Sequence, residues 1–143
     1  MKILSWNVNG VRAVVKKGLF DWLESESPDV VCLQEVKART EDLDESILNP
    51  EGYHVAWNSA ERKGYSGVAI FTKKKPKAVH RGIGIDRFDV EGRVIRVEFK
   101  DFDLLNVYFP NGTSGSERLQ IKWSFMMRFW IIANNCGQKA GSW

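Results

Sequence analysis

Two apolar runs in this sequence each end on polar residues of a kind that does chemistry. Ile3-Leu4-Ser5-Trp6 leads into Asn7-Val8-Asn9-Gly10-Val11-Arg12, and Val30-Val31-Cys32-Leu33 leads into Gln34-Glu35-Val36-Lys37. A short β-rich run inside a sheet reads as nearly continuous hydrophobic sequence. Asn7 and Glu35 are therefore expected where two strands surface, and in open α/β sheets that rim is where ligands bind. A carboxylate with an amide beside it suits a hard cation such as Mg²⁺, which prefers oxygen donors. The plainer alternatives are an exposed acid capping a strand for Glu35, and for Asn7 a turn residue that hydrogen-bonds the backbone. The two roles of Asn7 are compatible.

The elements that must position these groups follow from periodicity. Residues 3–8 read as a strand, 10–12 as a turn, and 18–25 as a helix carrying Leu19, Phe20, Trp22 and Leu23 at helical spacing. Ser27-Pro28-Asp29 ends that helix, since proline lacks a donor and restricts the residue before it. Residues 30–34 make a second strand, so strand, helix and strand fall within one βαβ unit. A short acidic helix is expected over 41–48, stopped by Asn49-Pro50. Strands follow over 53–58, 67–72, 79–82, 93–99 and 104–109, with Lys100-Asp101-Phe102-Asp103 as a tight hairpin connection. The pattern predicts an α/β fold with one open mixed sheet and helices on one face.

Composition sets wider bounds. A chain of 143 residues is one domain or a piece of one. Hydrophobic and charged fractions of 43% and 27% exclude neither an enzyme nor a binding module. A net charge of +3 suits an anionic partner without demanding one. No N-terminal signal is visible, and the apolar run from Phe125 to Ala133 is broken by Arg128 and too short to span a bilayer. No membrane partner and a cytoplasmic location are expected. Cys32 in an apolar strand and Cys136 in an odd tail argue against a disulfide framework.

Four motifs occur in order: Asn7-Val8-Asn9-Gly10-Val11-Arg12, Leu33-Gln34-Glu35-Val36-Lys37, Gly64-Tyr65-Ser66-Gly67-Val68-Ala69 and Tyr108-Phe109-Pro110-Asn111-Gly112. Together they resemble the first half of the exonuclease III family of apurinic/apyrimidinic endonucleases, over residues 1 to about 120. The resemblance implies the DNase I-like sandwich of two sheets with helices outside, of which this chain would supply one sheet. It makes Glu35 the ligand of Mg²⁺, or of Mn²⁺, with Asn7 as a second contact or as the group that orients the carboxylate. Tyr108 would contact the scissile phosphate as a hydrogen-bond donor, its alternative being a rim tyrosine with a wet hydroxyl. Asn111 would reach the same phosphate, and Arg12, Arg62, Gly64, Tyr65 and Arg118 would lie near the DNA backbone. The implied partner is double-stranded DNA with abasic sites or 3′ ends, and the implied state is a monomer. His54 and His80 match no family site, and Lys73-Lys74-Lys75-Pro76-Lys77 is read as a solvated or strand-edge run. Other DNase I-like phosphodiesterases share the Asn and Glu strand ends, but Gly64 to Ala69 and Tyr108 to Gly112 favour the DNA enzymes.

The tail departs from that resemblance. Residues 123–143 contain no acid, yet hold three of the six Trp and two of the three Met. An amphipathic surface helix should alternate its faces; Ser124 to Ala133 does not. Codons can be chosen for Gln120 onward so that restoring one T after the Gln120 codon gives ERLQYKMEFYDAFLDYCEQLRAKGRFV from Glu117. That is a charge-balanced amphipathic helix leading to a strand. Residues 1–122 are therefore read as the N-terminal half of an exonuclease III-like domain, and 123–143 as an out-of-frame tail that ends the product early. The family's GD-x-N strand end and His–Asp pair have no counterpart here. Expected consequences are lost or very weak turnover, or a non-catalytic fragment that binds DNA weakly. A bare sheet face should also promote aggregation.

Overall fold

Val30–Gln34 is apolar along its length because both of its faces are covered. In the computed structural model, which describes residues 1–139, this strand (β2) runs parallel to β1 (Ile3–Asn7). β4 (Val68–Thr72) pairs antiparallel on its other side, and β3 (His54–Asn58) completes a four-stranded mixed sheet in the order β1-β2-β4-β3. Two helices, α1 (Val11–Lys16) and α2 (Leu19–Glu26), make the crossover from β1 to β2. Val31, Leu33, Ala69, Phe71 and Trp57 turn toward Val11, Val14, Leu19 and Leu23, forming one core. A 3-10 turn (Thr40–Asp42) and α3 (Glu45–Leu48) lead into β3.

The strands do not form a single sheet, contrary to the sequence expectation. β5 (Ala78–Arg81), β6 (Val94–Glu98) and β7 (Asp103–Val107) make a separate antiparallel sheet, with α4 (Asp86–Asp89) between β5 and β6. Val30, Cys32, Ala56, Val68 and Ile70 of the first sheet pack against Ile95 and Val97 of the second. The chain thus contributes strands to both layers, and the two inner faces cover each other. A bare sheet face is not what remains; the open features are edges, and on edge strand β1 Ile3 and Trp6 are exposed. Period-2 alternation reveals which residues share a face, but it carries no mark of which sheet a strand joins.

Local differences have local causes. Residues 10–12 open α1 rather than forming only a turn, because Gly10 at φ 106° lets the chain reverse directly into it. The acidic segment 41–48 splits into the 3-10 turn and α3, with Leu43 and Asp44 extended between them. The hairpin at 100–103 is as expected, closed by Phe99 N–H donating to Phe102 O at 2.9 Å. Cys32 is buried as a free thiol, and burial pushes its pKa up to about 11. The side chain of Cys136 lies outside the described residues.

The chain divides into two compact units, Met1–Tyr108 and the part from Phe109 onward. The second contains α5 (Ser116–Lys139), in which Phe125 packs against Phe109 and Phe129 with centroids 5.9 and 6.4 Å away. Residues 123–139 are helical even though their pattern is not amphipathic. That stretch lacks proline, the residue most adverse to a helix interior. Among the described residues, no helix is long and apolar enough to cross a membrane.

One buried side chain fastens the two sheets. Asn106 on β7 donates from Nδ2 to Leu33 O at 2.9 Å and Ala69 O at 2.8 Å, and its Oδ1 accepts from Gln34 Nε2 at 2.8 Å. Asn106→Leu would remove three hydrogen bonds that tie β7 to the first sheet, each with a net worth on the order of 1 kcal/mol. Urea denaturation should show a lower midpoint by that order, with secondary structure at low urea retained.

Candidate active site

The segment after β2 is held from both sides. Val8, Gly10 and Val11 N–H groups donate to the carbonyls of Gln34, Glu35 and Val36 at 3.0, 2.7 and 2.9 Å. On the opposite side, Val36 and Lys37 N–H groups donate to Gly67 O and Ser66 O at 3.1 and 2.9 Å. Within this clasp Glu35 and Lys37 both adopt φ 51°, and Asn9 and Ser66 lie at 48° and 50°. Non-glycine residues adopt this left-handed region sparingly, and such strain gathers where function fixes a side chain. Gly67, at φ 85°, is required by contact as well as by conformation: a Cβ there would sit 2.6 Å from Val36 Cγ2.

Asn7, Glu35 and Tyr108 are brought into direct contact. Asn7 Nδ2 donates to Glu35 Oε1 at 3.2 Å, and the Tyr108 hydroxyl donates to the same oxygen at 2.5 Å. Asn7 Oδ1 accepts from Asn9 N–H at 3.1 Å. That backbone donor fixes the amide's orientation, so Asn7 is both turn residue and carboxylate orienter. Sequence reasoning missed Asn9 and Lys37 as members of the site. Lys37 Nζ lies 3.5 Å from Glu35 Oε2 and donates to Asn9 Oδ1 at 2.5 Å. The signal available was Lys37 two residues beyond Glu35, a spacing that puts both side chains on one face of an extended chain.

The electrostatics fix which groups carry protons. Tyr108's hydrogen bond, opposed by partial burial and helped by Asn7 and Lys37, lowers the Glu35 pKa from the ordinary carboxylate value. Burial, then the bond and charge of Glu35, push the Tyr108 pKa up to about 12. At neutral pH the site is therefore a carboxylate and a protonated phenol: a ligand or charge acceptor beside a hydrogen-bond donor. The donor set is hard oxygen, and its one ionised carboxylate fits a Mg²⁺ ion that keeps most of its shell for water and phosphate. Among the described residues no group of three or more His, Cys, Asp or Glu gathers as a metal site.

The remaining expected residues fall into separate places. Arg12 and Gly64 line a hollow of about 320 Å³ with Ala38, Asp42 and Lys63. Arg62 stacks over the Tyr65 ring, its guanidinium 5.2 Å from the centroid. Asn111 and Arg118 belong to the second unit; there Asn111 Oδ1 accepts from Thr113 N–H at 2.9 Å and Thr113 Oγ1 at 2.7 Å, an Asx turn. His80 pairs with Glu98 at 2.8 Å, and Lys73 Nζ donates to Ser27 O at 2.9 Å.

A carboxylate at a strand end, clasped by a strained loop and bonded to a tyrosine from the facing sheet, forms a rim site on a two-sheet α/β sandwich. Residues 4–140 match the endonuclease/exonuclease/phosphatase family, and the chain belongs to that family. It is 45% identical over 135 residues to an exodeoxyribonuclease of Bacillus subtilis, covering 92% of this chain and 52% of that protein. It is 44% identical over 144 residues to the DNA repair nuclease APEX1 of Danio rerio, covering 98% and 45%. A 3′-5′ exonuclease from Neisseria meningitidis superposes with a TM-score of 0.86 at 28% identity, over 99% of this chain and 54% of that one. An AP endonuclease from Archaeoglobus fulgidus gives 0.80 at 31%, over 92% and 50%. The chain spans about half the length of the curated relatives it matches. The resemblance to exonuclease III-type nucleases and to the first half of their fold is thereby borne out.

Because Glu35 is a stronger acid when folded, its contribution to stability is complete above the unfolded carboxylate's pKa. That contribution is lost as pH falls through the lowered folded value. Tyr108→Phe removes the largest cause of the lowering. Carboxyl ¹³C titration should place Glu35 nearer its ordinary value in that variant, and acid unfolding should lose part of its Glu35-dependent slope; an unmoved titration would refute the assignment.

Proposed function

We propose that this chain is the N-terminal half of a DNA-repair nuclease of the exonuclease III type. The complete protein would hydrolyse phosphodiester bonds of duplex DNA with Mg²⁺ or Mn²⁺, at abasic sites or from 3′ ends. The observation that carries this is the contact of Tyr108 and Asn7 on one oxygen of Glu35, at the joined strand ends. A divalent cation held by Glu35 would supply Lewis-acid stabilisation of phosphate charge. Asn7 orients the carboxylate, and Tyr108, protonated at neutral pH, would turn its single O–H from Glu35 to charge developing on phosphate oxygen. Arg12, Arg62, Gly64 and Tyr65 in the first unit, and separately Asn111 and Arg118 in the second, are read as DNA contacts. Support for a DNA substrate comes from relatives named as nucleases and from a Neisseria neighbour bound to a product DNA hairpin.

The 143 residues alone are read as inactive or nearly so, because groups that act as a unit fail together when part is missing. Weak DNA binding without turnover is the second reading, favoured by a sequence that contains no GD-x-N strand end. Residues 123–143 are read as out of frame. Trp123, Met127 and Trp130 are 61%, 69% and 66% exposed, positions where large apolar groups gain no burial. In the restored frame positions 125 and 129 stay Phe, the two that pack on Phe109, while exposed 127 and 131 become Asp.

Reinserting one base in codon 121 should open a frame that contains GD-x-N and a later Asp–His pair. The restored protein should nick abasic duplex DNA with Mg²⁺ and stop with chelator, whereas the present chain should stay at background. In the restored protein, Glu35→Ala and Tyr108→Phe should each lower turnover by on the order of 10²–10³. Arg12→Ala should mainly weaken binding and flatten its salt dependence. An immediate stop codon would sink the frame reading; Glu35-dependent cutting by the present chain would sink the inactive one.

Calorimetry on the present chain tests the cation separately. With a single carboxylate, no saturable heat is expected at low millimolar Mg²⁺, and Glu35→Ala should change nothing. Tight binding abolished by that substitution would mean a preorganised site.

A further inference from the structure

Arg93 is a charged side chain with 3% of its surface exposed. A guanidinium is costly to bury unless its charge is paired and its donors are used. All three nitrogens are engaged. Nε donates to Glu91 Oε2 at 2.5 Å, one terminal nitrogen to Tyr108 O at 3.2 Å, and the other to the Tyr65 hydroxyl at 2.9 Å. Tyr108 N–H donates back to Arg93 O at 2.9 Å, and the Tyr65 hydroxyl donates to Glu91 Oε1 at 3.3 Å. The guanidinium carbon also lies 4.9 Å from the Tyr108 ring centroid and 5.7 Å from that of Tyr65. One planar cation therefore grips the backbone and ring of Tyr108 and the hydroxyl of Tyr65 together.

We propose that Arg93 is a positioning residue that couples Tyr65 to Tyr108, so that engagement of the Tyr65 loop is felt at the hydroxyl anchoring Glu35. The Glu91 pair alone would neutralise the buried charge; the two further bonds are directed at tyrosines from different segments. Their convergence makes the aim of the Tyr108 hydroxyl depend on where Tyr65 sits. Lysine cannot substitute, because a point-like ammonium lacks the planar fork that spans three acceptors and stacks on a ring. The relevance of this coupling to DNA rests on the nuclease reading; the coupling itself does not.

The chain has three tyrosines, so ¹³Cζ-tyrosine labelling of the full chain gives three assignable signals. Tyr65→Phe, which removes only a hydroxyl, should shift the Tyr108 signal and leave Tyr53, bonded to Pro28 O, in place. In Arg93→Lys the same Tyr65→Phe change should no longer move Tyr108. If Tyr53 shows that Arg93→Lys is unfolded, Glu91→Gln replaces it, and Tyr65 and Tyr108 should then shift together. A Tyr108 signal indifferent to Tyr65→Phe, or a response that survives in folded Arg93→Lys, overturns the proposal. So does an indifferent Tyr108 in Glu91→Gln. Abasic duplex DNA should move Tyr65 and Tyr108 together in the unsubstituted chain. Movement of Tyr65 alone refutes the coupling. Movement of neither refutes DNA binding by the present chain and leaves the coupling to be judged by the Tyr65→Phe comparison.

Discussion

The left-handed backbone at Glu35 and Lys37 is the constraint on which the site depends. Two residues at φ 51° within three positions carry the chain out of the extended strand while Glu35 and Lys37 still meet at one rim, 3.5 Å apart. Such conformations cost on the order of 1–3 kcal/mol each and persist where neighbours over-determine them. Five backbone hydrogen bonds do so here, three from residues 8–11 and two to residues 66–67. The Gly64-to-Ala69 motif acquires a physical meaning from this. Gly67 must lack a Cβ for the loop to press against Val36 and lend its carbonyl to the clasp.

The clasp would have little effect if the opposing tyrosine were free to drift. Tyr108 comes from the second sheet, so its distance to Glu35 is set by how the two sheets register. Apolar packing of Ile95 and Val97 on Val30, Cys32 and Ile70 is non-directional and leaves some freedom of slide. Asn106, two residues before Tyr108, removes that freedom by bonding carbonyls of two adjacent strands and the Gln34 amide, one residue before Glu35. A buried polar group satisfied on all sides specifies a single arrangement more sharply than it adds stability. The short bond from Tyr108 to Glu35 is thus built from two layers that Asn106 holds in register.

Much of this was legible in the sequence, and the omissions have reasons. The apolar runs ending at Asn7 and Glu35 located the rim; for β2 the run follows from cover on both faces, whereas β1 is an edge strand that stays largely exposed. Tyr108 and its neighbours were reached only through resemblance. Nothing in the run Leu104 to Val107 says that the next residue will face Glu35 across a sheet boundary. The division into two sheets was hidden for the same reason. Lys37 and Asn9 were passed over because their convergence needs positive φ at non-glycine residues, which residue type does not announce. Arg93 was invisible for a different reason: an arginine at the start of a strand reads as surface, and its burial depends on Glu91, Tyr65 and Tyr108 all being in place.

The two oxygens of Glu35 are held in unlike ways, and that difference bears on how a cation could enter. Oε1 accepts from two neutral donors fixed by their own backbones, Asn7 through its turn and Tyr108 through Arg93. Oε2 faces the Lys37 ammonium at 3.5 Å, on a flexible stem whose closer bond is to Asn9. Partly exposed pairs of this kind contribute little and are readily exchanged. Oε2 is therefore the oxygen whose counter-ion can change, while the neutral bonds on Oε1 stay in place. Lys37, released from Oε2 yet still tethered to Asn9, would keep a positive charge at the rim. Placing the strong neutral bonds on one oxygen and the weak ionic contact on the other lets the carboxylate stay aimed while its counter-ion changes.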